Sequence, residues 1–241
     1  MTDNHPGAQT LALGRAKQAI RTGRMEEAAT LSRGVLEAEP DQPDALHIMG
    51  VVALSRGEAE RARDLLRRAV LGKADDALLA MRLGIAHALC GDNESAAKAQ
   101  RRAVALAPDS DEAHFNLALT LRKLGYADEA QASLERAVEV QPQNAPAWSE
   151  LSVTLLEKGR LEDALAAARR SVELAPKAPT ALNNLGSVQL ACGYAADAAA
   201  SFRRAIEQLP KFADGYVNLG LALLALRQAA EAVDAFLEAL R

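Results

Sequence analysis

Apolar residues recur at helical intervals along this chain, in two alternating series punctuated by glycines and prolines. Between a proline and the next glycine lie sets such as Leu182, Leu185 and Val188, or Tyr216, Leu219, Leu223 and Leu226. Their spacing follows the roughly 3.6-residue helical period and predicts one helix of about four turns. Each glycine then ends the helix in a tight turn, since glycine enters the left-handed conformation at little cost. A second apolar series follows, for instance Ala198, Phe202, Ala205, Ile206 and Leu209. The next proline closes that series, because proline cannot continue a helix interior. The pattern predicts antiparallel helix pairs.

The pairs repeat every thirty-four residues. Ala28, Ala62, Ala96, Ala130, Ala164, Ala198 and Ala232 share one register, and Gly23, Gly57, Gly91, Gly125, Gly159 and Gly193 share another, broken only at Arg227. Pro40, Pro108, Pro142, Pro176 and Pro210 form a third column, with Ala74 in its gap. Two further small-residue columns run from Ala16 to Gly220 and from Val35 to Ala239, and mark close helix approaches. A fixed period of this length means that each unit buries its apolar face against its neighbours, so the fold class is all-α, a helical-repeat solenoid.

The unit resembles the tetratricopeptide repeat, whose pattern is W-x2-L-G-x2-Y, then A-x3-F, then P. Leu182, Leu185, Gly186, Ala198, Phe202 and Pro210 match it, as do Tyr216, Leu219, Gly220, Ala232 and Phe236, and Trp148 stands at the tryptophan place. The resemblance implies a right-handed superhelix of seven repeats at 9–42, 43–76, 77–110, 111–144, 145–178, 179–212 and 213–241, preceded by a flexible tail at 1–8. The local departures are Arg15 in the first repeat, the missing proline of the second and the missing glycine of the seventh.

Composition narrows the chemistry. The chain is 49% hydrophobic but only 3% aromatic, so alanine and leucine make the helix contacts. The polar start does not resemble a secretory signal, and no segment is apolar enough to span a membrane. A cytoplasmic protein without membrane contact is expected. Cys90 and Cys192 stand three repeats apart, too far for a disulfide in a stacked array. His5, His47, His87 and His114 lie at different repeat positions; His47 is expected to face the groove, His87 to pack within it, and His114 to serve as a packing residue. No HExxH, phosphate loop or nucleophile elbow is present, so neither catalysis nor a cofactor or metal is expected of this chain.

One column is basic: Arg68, Arg102, Arg136, Arg170 and Arg204. Glu139, Glu173 and Glu207 follow the last three at helical spacing, which favours pairing along the helix. With a net charge of −4, a solvated outer face is expected rather than a nucleic-acid surface.

Function is therefore sought on the concave face, which the first helix of each pair lines in arrays of this family. Repeat position selects Asp44, His47, Ile48 and Val51 in the second repeat, and Leu78, Met81, Arg82, Ile85 and Leu89 in the third. It selects Phe115, Asn116, Leu119, Arg122 and Lys123 in the fourth, and Ser149, Glu150 and Val153 in the fifth. Asn183, Asn184 and Ser187 follow in the sixth, and Val217, Asn218, Leu221 and Leu224 in the seventh. Val51, Ile85, Leu119, Val153 and Leu221 make an apolar stripe, and Asn116, Asn184 and Asn218 a partial amide ladder suited to the backbone of an extended peptide. A ligand held this way would lose affinity only modestly with salt.

The runs Asn184-Leu185-Gly186 and Asn218-Leu219-Gly220, with Phe115-Asn116-Leu117, resemble the repeats of O-linked N-acetylglucosamine transferases and their bacterial relatives. That resemblance implies a protein or peptide partner recruited for a larger glycosyltransferase. Gly14, Ile48, Arg82 and Glu150 replace the amide elsewhere, and the carboxylate clamp of chaperone-binding relatives is not matched, because Val51, Ile85, Leu119, Val153 and Leu221 take its asparagine place. A second expectation is a scaffold that self-associates through an uncapped last repeat, where Phe236, Leu237 and Leu240 would be partly uncovered.

Overall fold

A computed structural model describes residues 6–241, and within them the chain forms fourteen helices and no strands. They are α1 (Pro6–Arg21), α2 (Met25–Ala38), α3 (Pro43–Ser55), α4 (Ala59–Gly72), α5 (Ala77–Leu89), α6 (Asn93–Leu106) and α7 (Asp111–Lys123). There follow α8 (Ala127–Val140), α9 (Ala145–Glu157), α10 (Leu161–Leu174), α11 (Pro179–Ala191), α12 (Ala195–Gln208), α13 (Ala213–Ala225) and α14 (Ala229–Ala239). The first helix begins at Pro6 rather than at residue 9, because proline is tolerated in a first helical turn. The rest of the expected tail, with His5, lies outside the described residues.

Two compact units divide the chain, Met1–Gly125 and Tyr126–Arg241. Within each, every helix packs on the next in sequence, and neighbouring odd-numbered helices also touch. Even-numbered helices make no comparable contact with one another among the described residues. Each unit thus brings its odd-numbered helices closest together, which makes theirs the inner face.

The odd-to-even turns share one geometry. Gly23, Gly57, Gly91, Gly125, Gly159 and Gly193 have φ between 72° and 83°. The residue after the glycine donates back five residues, as in Arg160 N–H to Leu155 C=O at 2.9 Å and Tyr194 N–H to Gln189 C=O at 2.8 Å, closing a Schellman turn. The seventh repeat keeps this turn without its glycine: Arg227 takes φ 60°, and Gln228 N–H still reaches Leu223 C=O at 2.9 Å. The preserved hydrogen bonds impose the left-handed conformation on the arginine.

At the even-to-odd junctions another repeat position caps the incoming helix. Side chains of Gln42, Asp76, Ser110 and Asn144 accept the third backbone N–H onward at 2.7–3.2 Å, while Ala178 and Phe212, at the same place, cannot.

Within each unit the alanine column is the seam of the helix pairs, and all seven of its residues from Ala28 to Ala232 are fully buried. The neighbouring small column varies with its opposite number sixteen residues on. A Cβ on Gly186 would lie 2.6 Å from the Phe202 ring, and one on Gly220 2.5 Å from Phe236. Where the later residue is only Ala168, the small column carries Ser152, also fully buried. Large and small side chains are exchanged across the seam at constant volume.

Candidate functional site

In the first unit the inner face carries a polar cluster. His47 on α3 and Arg82 on α5 meet with Nε2 and Nη1 2.7 Å apart, thirty-five residues apart in sequence. Burial, reinforced by the Arg82 charge, pushes the His47 pKa down to about 4, so at neutral pH the ring is uncharged and its Nε2 accepts from the guanidinium. Burial also lowers the Arg82 pKa. Beside them Asp44 pairs with Lys73 at 2.7 Å and Lys17 at 3.2 Å. Burial alone would raise the Asp44 pKa, but these ammonium groups outweigh it and lower it.

Of the expected groove residues in this unit, Val51, Ile85, Phe115, Asn116, Leu119 and Arg122 are half-buried, and Leu78, Leu89 and Lys123 are exposed. Ile48 and Met81 are buried instead, because at their helical angle they point into the seam with the neighbouring helices. Asn116 donates to the Glu112 carbonyl of its own helix at 2.9 Å rather than to a neighbouring helix. His87 does not join the inner face either: its Nδ1 lies 3.1 Å from the Asp92 carboxylate, in a recess shared with Ser95 and Lys98 of α6.

The second unit has the more regular arrangement. Asn184 Nδ2 on α11 donates to Ser149 Oγ on α9 at 2.9 Å, and Asn218 Nδ2 on α13 donates to Asn183 Oδ1 on α11 at 2.9 Å. Both links again span thirty-five residues, one repeat plus one, and so tie successive inner helices together. Each asparagine donor uses one N–H this way, so its carbonyl oxygen and second N–H remain for a ligand. Asn183, Asn184 and Asn218 are half-buried, as are Glu150 and Val153. Ser149 is buried, being the acceptor beneath Asn184. Val217, Leu221 and Leu224 of α13 are 40–49% exposed beside the amides.

The outer arginines have a role that sequence reasoning missed. Arg68 donates to the Pro40 carbonyl at 2.7 Å, Arg102 to Ala74 at 3.1 Å and Arg204 to Pro176 at 3.4 Å, each twenty-eight residues back. They clasp the turn that precedes the odd helix. Arg136 and Arg170 pair with Glu139 and Glu173 as expected, but Arg204 does not pair with Glu207, since its guanidinium reaches the turn carbonyl. At the corresponding carbonyls of Pro108 and Pro142 the donors are His114 Nε2 at 2.9 Å and Trp148 Nε1 at 3.1 Å. Either donor satisfies an otherwise unpaired backbone acceptor. The signal was present in the shared register of the arginine and proline columns.

Cys90 and Cys192 are both free thiols. Among the described residues there is no group of three or more His, Cys, Asp or Glu side chains that could hold a metal, and no helix long and apolar enough to cross a membrane.

The architecture has solved counterparts. MamA is 25% identical over 66% of this chain and 92% of its own, with a TM-score of 0.59. PilF of Pseudomonas aeruginosa, 16% identical, covers 87% of this chain and 95% of its own at a TM-score of 0.75. YrrB, described as a TPR protein with an unusual peptide-binding site, is 20% identical over 72% of this chain and 90% of its own, at 0.59. The last two likenesses concern the fold alone. No curated protein matches the sequence. Tetratricopeptide-repeat family models match residues 115–179 and 183–241, and a second such model matches residues 19–83. With more than half of its length matched and each helix pair closed by the same turn, the chain belongs to the tetratricopeptide-repeat family.

Proposed function

We propose that the protein is a binding module that holds an extended segment of a partner protein against its inner, odd-numbered helices, and performs no chemistry on it. The observation that carries this reading is the amide arrangement of α9, α11 and α13. Asn183 and Asn218 are fixed by their mutual link and Asn184 by its bond to Ser149; all three keep donor and acceptor capacity for a peptide backbone and stand beside Val217, Leu221 and Leu224. Fixed donors lose little rotational freedom on binding, so a segment can be held without demanding many specific side chains. Arg82, Phe115, Asn116, Leu119, Arg122 and Lys123 would extend recognition on the first unit, and Glu150 and Val153 on the second. YrrB, with its peptide-binding site, lends support by likeness.

The finer part of the proposal is that this array recruits partners for a larger protein, a glycosyltransferase on the resemblance of its asparagine runs. The test of the binding reading is the double variant Asn184→Ala/Asn218→Ala. Partner-peptide affinity measured by calorimetry should fall by about tenfold or more, corresponding to one or two lost hydrogen bonds. Unchanged affinity in a folded variant would dismiss the ladder as the site.

A second reading, self-association, rests on one observation. Val233, Leu237 and Leu240 of the last helical segment are 51–84% exposed, whereas Phe236 is folded back over Gly220.

A further inference from the structure

We propose that a socket bounded by α9, α10 and α11 receives an aromatic side chain, that of phenylalanine, from the partner segment. This deepens the peptide-binding reading and rests on it. The socket encloses about 270 Å³, is partly open to solvent, and is walled chiefly by Ala145, Ser149, Ser171, Ala175, Ala178 and Ala181. Every one of these is small; Pro146, Glu150 and Thr180 complete the lining. The Ser171 hydroxyl is already spent on the Ala145 carbonyl at 3.0 Å, and Ser149 Oγ already accepts from Asn184 at 2.9 Å, so the walls present mostly apolar surface. A dry apolar cavity of about 150 Å³ is enough to admit benzene, and this one is larger.

The chain itself shows what such a junction takes. At the equivalent place one repeat later, Phe212 stands where Ala178 does. The Phe212 ring lies so close over Gly215, the counterpart of Ala181, that a Cβ there would be 2.8 Å from its Cδ1. In the first unit the same junctions are filled by other routes. Leu79, fully buried, packs with Ala69 at one, and Met81 packs with Ala103 and Ala113 at the next. The junction at 145–181 has alanine or serine at each of these filling positions and is left open. Asn184, bonded to Ser149 on the socket wall, keeps a carbonyl oxygen and an N–H for the backbone of the residue whose ring enters. The socket therefore fits a phenylalanine within an extended segment better than a free apolar molecule.

Two variants of the full chain close the socket from within. Ala178→Phe/Ala181→Gly reproduces the Phe212 and Gly215 arrangement, and Ala181→Leu reproduces the fully buried Leu79 of the third repeat. Peptides selected from a displayed random library on the natural protein should carry Phe, Tyr or Trp. Their affinity should fall by about tenfold or more in both variants, the worth of one buried aromatic side chain. The variants should melt at or above the natural temperature, since they fill a void. Selected peptides lacking an aromatic, or an affinity unchanged in variants that fold, would overturn the proposal. If no peptide is selected, the peptide-binding reading fails and the socket is judged by a small probe. N-acetylphenylalanine amide should shift the Ala145, Ala178 and Ala181 amide resonances saturably in the natural protein and not in the double variant. The absence of such shifts overturns the socket itself.

Discussion

Arg227 sits at φ 60° where every other repeat has glycine, and its guanidinium plays no part in that choice. The turn is held by hydrogen bonds to Leu224 and Leu223 at 2.9 Å, and a side chain in the left-handed region costs about 1–2 kcal/mol. Arg227→Gly removes that strain but adds freedom to the unfolded chain, so a net gain of about 0.5–1 kcal/mol is expected in urea unfolding. His47 makes an opposite kind of contribution. Its pKa of about 4 in the folded chain lies below the ordinary value of 6.5, so between those values the unfolded chain takes up a proton that the folded chain refuses. Stability should be level above pH 6.5 and fall as the pH drops toward 4, by an amount on the order of 2 kcal/mol. His47→Gln retains an acceptor for Arg82 and should flatten that part of the stability profile; an unaltered slope would place the titration elsewhere.

At the scale of the element, the helix pair depends on volume exchanged across its seam. Gly186→Ala would place a methyl 2.6 Å from Phe202 and should destabilise the fold by about 1–3 kcal/mol. Phe202→Ala should cost less in that variant than in the natural protein, since Ser152 is accommodated where the later residue is only Ala168. Thermal melting of the single and double variants measures the coupling, and strictly additive losses would contradict it. The helix pair was legible in the sequence because its turns, seams and register depend on residues close along the chain. The links between pairs were less legible. His47 with Arg82, Ser149 with Asn184 and Asn183 with Asn218 join positions one repeat plus one residue apart, and only the packing angle of successive helices shows which amide meets which. Asn116 shows the same limit. It belongs to the ladder by repeat position, yet its amide turns to Glu112. The arginine column was visible, but its carbonyl acceptors came into view only with the folded turns.

For the whole molecule, periodicity announced a chain of like elements but not its partition into two compact units, 1–125 and 126–241. Nearest-neighbour stacking lets such units gather along a continuous repeat. The exposed apolar residues near the end of α14 bear on whether copies associate. Sedimentation across a concentration range should show a single species if the inner helices are the working surface. A mass that rises with concentration, and falls back in Leu237→Lys, would instead favour the scaffold reading. With a net charge of −4 and a ligand held by amides and apolar contacts, binding should weaken only modestly between low and physiological salt.

A partner segment should lie on the inner helices of the second unit. The most direct test of that placement is a map of amide chemical-shift changes on binding a peptide selected against the full chain. Changes should concentrate on α9, α11 and α13 around Ser149, Asn183, Asn184, Asn218 and Leu221. Changes concentrated instead on the outer faces of α10, α12 and α14 would contradict it.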